Sequence, residues 1–292
     1  MNNSGIIDGF ILINKDIGKT SFETVNALRK ILSIKKAGHA GTLDKNASGL
    51  LVAALGKSTK LLKYFFKQDK SYEAEIYFGL AKNTDDANGI DIKKYDGKID
   101  FPVIEKELKK FSGIIEQSPP LFSAVHINGE RSYKLALKNK DIKSPKRKIN
   151  IKQLNIISYN EPILKIFVEC SSGTYIRSIA RDLGEQTGYF AYLFSLKRVT
   201  IGKFCVNDSF TLENIKKNCY TILSADTVLP DYQKLLIKKE FIKDLKNGMQ
   251  IKKEWFEIMT KDINGIFKVI SDNELLAMIK ITDGIYSYDL VY

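Results

Sequence analysis

Apolar and polar positions along the 292-residue chain alternate in two rhythms. "GFILINK" at 9–15 has the length of a buried strand, and "TSFETVNALRKIL" at 20–32 then puts Phe22, Val25, Leu28 and Leu32 on one helical face. Thr20 and Glu23 stand at capping-box spacing and start that helix. "ASGLLVAALGKSTKLLKYF" at 47–65 reads as a strand that turns helical after Gly56. In "SYEAEIYFGL" at 71–80, Tyr72, Ala74, Ile76 and Phe78 alternate with Glu73, Glu75 and Tyr77, the pattern of a strand with one buried face. "PVIEKELKKFSG" at 102–113 predicts an exposed helix.

The stretch "ILKIFVECSSGTYIRSIARDLGEQTG" at 163–188 changes period in its middle. Leu164, Ile166, Val168 and Cys170 share one strand face, Gly173 turns the chain, and Ile176, Ile179, Ala180 and Leu183 line one helical face. Tyr175 and Arg177 therefore fall at a strand-to-helix junction, with Arg177 and Arg181 on the opposite stripe. After Pro230 the pattern predicts one helix, "QKLLIKKEFIKDLKNG", followed by three strand-like pieces, "GIFKVIS", "LLAMIKIT" and "GIYSYDLVY". Strands and helices without a regular βαβ rhythm predict an α+β fold: a central mixed, mainly antiparallel sheet flanked by helices. The boundary falls near 230, giving a large unit over 1–229 and a small β-rich unit over 230–292.

Composition narrows the class. With 44% hydrophobic and 27% charged residues the chain is that of an ordinary folded protein. It has no apolar run long enough for a membrane helix, and "MNNSGIIDGF" lacks the features of a secretory signal, so a cytoplasmic protein is expected. Three cysteines without a C-x-x-C pair, and two histidines, argue against a metal site or a disulfide framework. A net charge of +12 favours a polyanionic partner, with nucleic acid the leading candidate. Only six of the 46 basic residues are arginines, and three of them fall between 177 and 198, where a planar contact is implied that lysine cannot make. Residues 119–148 read as a basic flap containing a hairpin-like "HING".

Two stretches imitate a phosphate-binding loop, "GKTS" at 18 and "GKST" at 56, but the glycine five places earlier is missing from both: Ile13 and Leu51 stand there. No nucleotide cofactor is expected. In "GHAGTLDKNASGLL" at 38–51, Asp44 stands alone between glycine-bearing turns and an apolar run. An aspartate in that place ordinarily caps the next element by accepting a backbone N–H, and spacing alone leaves that reading beside a chemical one.

Six elements in order, "INKDIGKTS", "RKILSIKKAGHAGTLDKNASGLL", "KSYEAEIYFG", "QSPPLFSAVHINGERSYKLA", "CSSGTYIRSIARDLGE" and "SLKRVTIGKF", resemble the bacterial TruB-type tRNA pseudouridine-55 synthases over most of residues 9–205. The resemblance implies the pseudouridine synthase fold and an isomerase that flips the T-loop uridine out of tRNA, breaks its glycosidic bond and rejoins the ribose at C5. It implies Asp44 as the catalytic carboxylate, Arg177 as its pairing cation and Tyr72 as the tyrosine that stacks on the flipped base. Tyr175, Leu196 and His39 match further pocket positions, although from spacing alone each also reads as a packing residue, Leu196 above all. Lys15, Lys19, Arg131 and Arg147 are the expected RNA-contacting cations. Residues 119–148 match the family's thumb segment, and 230–292 a reduced PUA-like RNA-binding module. No metal or organic cofactor, no membrane and a monomer are implied, with the T-arm of tRNA as partner. Asp16, Asn46 and Lys138 depart from the family's usual residues without removing a catalytic group. A guide-RNA-dependent homologue and a tRNA-folding chaperone are the alternative classes.

Overall fold

A computed structural model describes residues 7–122, 126–127, 130–131, 145–229, 231–257 and 264–292. In chain order come β1 (Gly9–Lys15), α1 (Ser21–Ile31), β2 (Ala37–Ala40), β3 (Ala47–Leu55), β4 (Lys70–Phe78), the small pair β5 (Leu80–Lys82) and β6 (Asp91–Lys94), and α2 (Phe101–Leu108). Next are β7 (Gly113–Gln117), the short pair β8 (His126–Ile127) and β9 (Glu130–Arg131), the long β10 (Arg147–Asn160), β11 (Ile163–Cys170), α3 (Ile176–Thr187), β12 (Ala191–Ile201) and β13 (Phe204–Cys205). The main sheet runs β1-β3-β12-β4-β11-β10-β7, with β2 added to β3 and β13 to β12. Its pairs are antiparallel except β3 with β12, whose register sets Leu196 beside Ala47 and Arg198 beside Gly49. The α+β expectation of a mixed, mainly antiparallel sheet is met.

Alternation explains the central strands. Tyr72, Ala74, Ile76 and Phe78 of β4 are buried, as are Leu164, Ile166, Val168 and Cys170 of β11. Both rows meet Ile176, Ile179, Ala180 and Leu183 of α3 in one core, so that helix lies against the sheet face. α1 is capped by Thr20 and Glu23 as the spacing predicts. Its buried face is made by Ser21, Thr24, Val25 and Leu28, whereas Phe22 is 69% exposed. Val25 and Leu28 of the expected stripe are buried, and only its first member departs: Ser21, hydrogen-bonded to Leu43, turns inward in place of Phe22. α2 is half-buried rather than exposed, with Ile104 and Leu108 turned into the core.

A second sheet is built from β14 (Gln233–Leu236), β15 (Gly265–Ser271), β16 (Glu274–Thr282) and β17 (Ile285–Val291). The single helix expected over 233–248 does not form. Gln233–Leu236 pairs parallel with β15, and only Ile242–Lys246 is α-helical. Leu235 and Ile237 are buried two positions apart while Leu236 is 50% exposed, so packing on β15 imposes a strand period on a run that also reads as helical. This sheet docks on the main body: Leu275 and Met278 share a buried cluster with Phe10 and Phe65, and Tyr292 Oη meets Ser58 Oγ at 2.6 Å. Of the basic segment 119–148, residues 123–125, 128–129 and 132–144 lie outside the described residues. β8 and β9 pair antiparallel, as "HING" leads one to expect. Among the described residues no helix is long and apolar enough to cross a membrane.

Candidate active site

Asp44 sits in the loop between β2 and β3, and the "GKTS" stretch holds that loop. Ser21 Oγ donates to Leu43 O at 3.1 Å and accepts from Leu43 N at 2.8 Å, while Gly18 N donates to Lys45 O at 2.9 Å. Lys15, 1% exposed, braces the turn from within by donating to the carbonyls of Asp16 at 2.9 Å and Lys19 at 2.6 Å. Asp44 does not cap a helix: its carbonyl accepts from Ala47 N at 3.0 Å, and the apolar run beyond is β3. The carboxylate side chain is 46% exposed.

The partner comes from α3. Arg177 Nε lies 3.0 Å from Asp44 Oδ2, and Nη1 lies 3.5 Å from Asp86 Oδ2. The guanidinium also donates to Thr84 O at 3.2 Å and, through Nη2, to Phe122 O at 3.2 Å. With its side chain only 8% exposed, Arg177 is fixed on several sides. The Asp44 contact is a close ion pair whose N–H direction is not that of a hydrogen bond, since Nε has no aligned acceptor among the described residues. The start of α3 is set by Gln117 at the end of β7, which accepts from Tyr175 N at 2.8 Å and donates to Tyr175 O at 3.0 Å. Behind Arg177, Arg181 pairs with Asp85 at 2.9 Å and Asp182 at 2.7 Å.

Asp44 and Arg177 open on a cleft of about 510 Å³ that Tyr72, Tyr175, Leu196 and Arg147 also line. Tyr72, on β4, is 7% exposed, and burial raises its phenol pKa against the opposing pull of Arg198. The Arg147 guanidinium lies 4.6 Å from the Tyr175 ring centroid, and its Nε and Nη2 are buried without a hydrogen-bond partner among the described residues. Leu196 is half-buried on β12 between Ala47 and Ala74 and shows one side to the cleft.

The sequence-expected residues therefore divide. Asp44, Arg177, Tyr72, Tyr175, Leu196 and Arg147 come together. His39 pairs with Ala53 on β3 outside the cleft lining; burial, then the charge of Arg198, lowers its pKa. Lys15 is a buried brace instead of an RNA-facing cation, and its pKa too is lowered by burial. Lys19 is exposed on the turn. The side chain of Arg131 lies outside the described residues. Sequence reasoning missed Lys70 and Arg198, both in the cleft lining, and Asp86. The signal for Arg198 was the scarcity of arginine: three of the six, Arg147, Arg177 and Arg198, line this one cleft.

Arg198 is nearly inaccessible and donates to Leu50 O at 2.8 Å and Gly41 O at 3.1 Å, tying the Asp44 loop to β12. A Cβ on Gly49 would stand 2.3 Å from Arg198 O, so the parallel β3–β12 approach requires glycine there. Lys70 shares the cleft floor, donates to Gln68 O at 2.6 Å, and is brought down to about 8 by burial and by Arg198.

A chain of a Cbf5-Nop10-Gar1 complex superposes with a TM-score of 0.71 at 22% identity, over 97% of this chain and 84% of that one, which is a likeness of fold. Residues 29–176 match the TruB family pseudouridylate synthase N-terminal domain. The chain is 43% identical over 290 residues to tRNA pseudouridine synthase B of Borreliella afzelii (strain PKo), covering 98% of this chain and 99% of the relative. It is 38% identical over 255 residues to the protein of the same name in Clostridium kluyveri, covering 86% and 87%. The chain belongs to the TruB family of pseudouridylate synthases.

Proposed function

We propose that this chain isomerises uridine to pseudouridine in tRNA, at the T-loop uridine of position 55, with Asp44 as the catalytic carboxylate. The observation that carries the reading is the Asp44 carboxylate held 3.0 Å from the Arg177 guanidinium at the wall of a cleft that Tyr72 lines. An arginine at contact distance orients a carboxylate by charge attraction. The reaction adds no atoms and changes no oxidation state, so one carboxylate is sufficient, acting either by attack at C1′ or by taking the proton from C2′. The base must leave the stack to reach it, at a cost of about a few kcal/mol, offset by stacking on Tyr72 and by phosphate contacts of the basic surface. The unit over 1–229 carries the chemistry, and the docked second sheet, 230–292, is a PUA-like surface for the rest of the RNA.

The test is tritium release from C5 of uridine in an unmodified tRNA transcript, wild type beside Asp44→Asn. The variant is expected to lower turnover by at least about 10³-fold while affinity changes by less than about 1 kcal/mol. Normal pseudouridine formation by Asp44→Asn removes Asp44 from the chemistry. Absence of release from the wild type with binding intact moves the chain to an RNA-binding role.

A further inference from the structure

The floor of the cleft holds two cations that the carboxylate chemistry does not use. Lys70 and Tyr72 stand two positions apart on β4 and so project from one face of the strand. Arg198 is the cross-strand neighbour of Tyr72 on β12. The three are 9%, 7% and 1% exposed, respectively, for Lys70, Tyr72 and Arg198. Apart from Tyr72 beside Arg198, the acceptors of the two cations are backbone carbonyls: Gln68 for Lys70, Leu50 and Gly41 for Arg198. Neither is ion-paired among the described residues. Asp69, the carboxylate whose charge reaches Lys70, is engaged by Lys152. Gly41 lies against both cations: a Cβ there would stand at van der Waals distance, 3.5 Å from Arg198 Nη1 and 3.7 Å from Lys70 Cε.

Buried like charges without a counter-ion are costly in the resting protein. The arrangement becomes favourable when negative charge arises beside it, and a neutral uridine base brings none on binding. The base acquires charge when the N1–C1′ bond breaks and its electron pair stays on uracil, spread over N1, O2 and O4. That holds whether Asp44 forms an ester at C1′ or removes the C2′ proton. The pair is used again when C5 bonds to C1′; C5 then releases its proton and N1 takes one up. A cation whose attraction is realised only between those two bond changes lowers the barrier instead of tightening ground-state binding.

We propose that Lys70, with Arg198 beside it, is the catalytic cation that stabilises the uracil anion between cleavage and rejoining. This rests on the reading of the cleft as the uridine site. A backbone phosphate is the competing anion, but a flipped base enters a cleft ahead of its phosphates, and Lys70 shares the buried floor with the tyrosine on which that base stacks.

Single-turnover tritium release and tRNA affinity across salt, measured on the full chain as wild type, Lys70→Met and Lys70→Arg, test it. Lys70→Met is expected to slow release by about 10²-fold or more. Affinity should stay within about threefold and the slope of log K against log[salt] should not move. Lys70→Arg should restore most of the rate. The groups that face Lys70 are Arg198 on β12, Cys170 on β11, whose thiol burial pushes up to about 11, and Asp69 beside it. Its ammonium, at about 8, is therefore the first of these cations to lose its proton, and the wild-type rate should fall above that pH while the Lys70→Arg rate holds. This arm stands even where Lys70→Met does not fold: a Lys70→Arg profile identical to wild type overturns the proposal. So does a wild-type rate in Lys70→Met, and so does an unchanged saturated rate with a salt slope shallower by about one, which reassigns Lys70 to a phosphate. An inactive wild type overturns the uridine reading and this inference together, whereas an active wild type with an unaffected Lys70→Met overturns the inference alone.

Discussion

The two walls of the cleft handle charge in opposite ways. On the α3 side, cations and carboxylates alternate: Asp44 with Arg177, Arg177 with Asp86, and Arg181 with Asp85 and Asp182. On the sheet side, Lys70 and Arg198 stand together with carbonyls as their hydrogen-bond acceptors. A wall whose charges are matched in the resting protein keeps its shape and holds a side chain in aim. A wall with unmatched charge is prepared for charge that arrives with the reaction. The first wall should therefore fail through stability and geometry, and the second through rate. The largest effect should follow from emptying the first wall. Arg177→Met strands Asp86, whose side chain is 15% exposed, beside carbonyls that have lost their donor. It should lower unfolding free energy by about 3–5 kcal/mol, read by urea denaturation. Adding Asp86→Asn should recover part of that loss, and no recovery would show that the pair is not the cause.

The same wall makes a smaller, pH-dependent prediction. Burial raises the Asp85 carboxyl to about 6 in spite of the lowering by Arg181. Because the folded-state value is the higher one, the folded protein binds that proton more tightly than the unfolded chain does. The resulting stabilisation is full below about pH 3.8 and is lost as pH rises through about 6. Its size is roughly 2–3 kcal/mol. Asp85→Asn, which mimics the protonated acid, should therefore gain on the wild type by that amount between pH 4 and pH 7. A difference that stays constant across the range would mean the burial of Asp85 is not felt as a protonation cost.

How much of this was readable in the chain depends on whether the cause is local. The β11 strand and α3 follow from their own alternation and period, and the α1 cap from two residues, Thr20 and Glu23. The helix expected over 233–248 fails because Leu235 and Ile237 answer to β15, some thirty positions away. The parallel pairing of Leu196 with Ala47 has no local signal at all, yet it brings β12 beside the Asp44 loop. At the site, Asp44 and Arg177 were legible through motif resemblance. The work of "GKTS" as the clasp of Leu43 was not legible, since it depends on a contact across 22 positions. Lys70 was one lysine among many, and only its place beside Arg198 distinguishes it.

Arg147 offers the finest test of the contrast, because it is a third cation in the same cleft with a different setting. It stacks on Tyr175 at the start of β10, and its Nε and Nη2 are buried without a hydrogen-bond partner among the described residues. It lies beside Gly173, where a Cβ would come within 3.6 Å of Nη1. A planar donor fork with free N–H groups, fixed by a ring, suits a phosphate oxygen already charged in the free RNA. Its energy is then felt on binding, before any bond breaks. Arg147→Met should weaken tRNA binding by about 1–2 kcal/mol and make the salt slope shallower by about one, with the saturated rate within about twofold of wild type. That is the reverse of what Lys70→Met should do. If both substitutions shift the salt slope alike, both cations serve the backbone and the division between the walls is lost; if neither does, Arg147 is held by Tyr175 for packing.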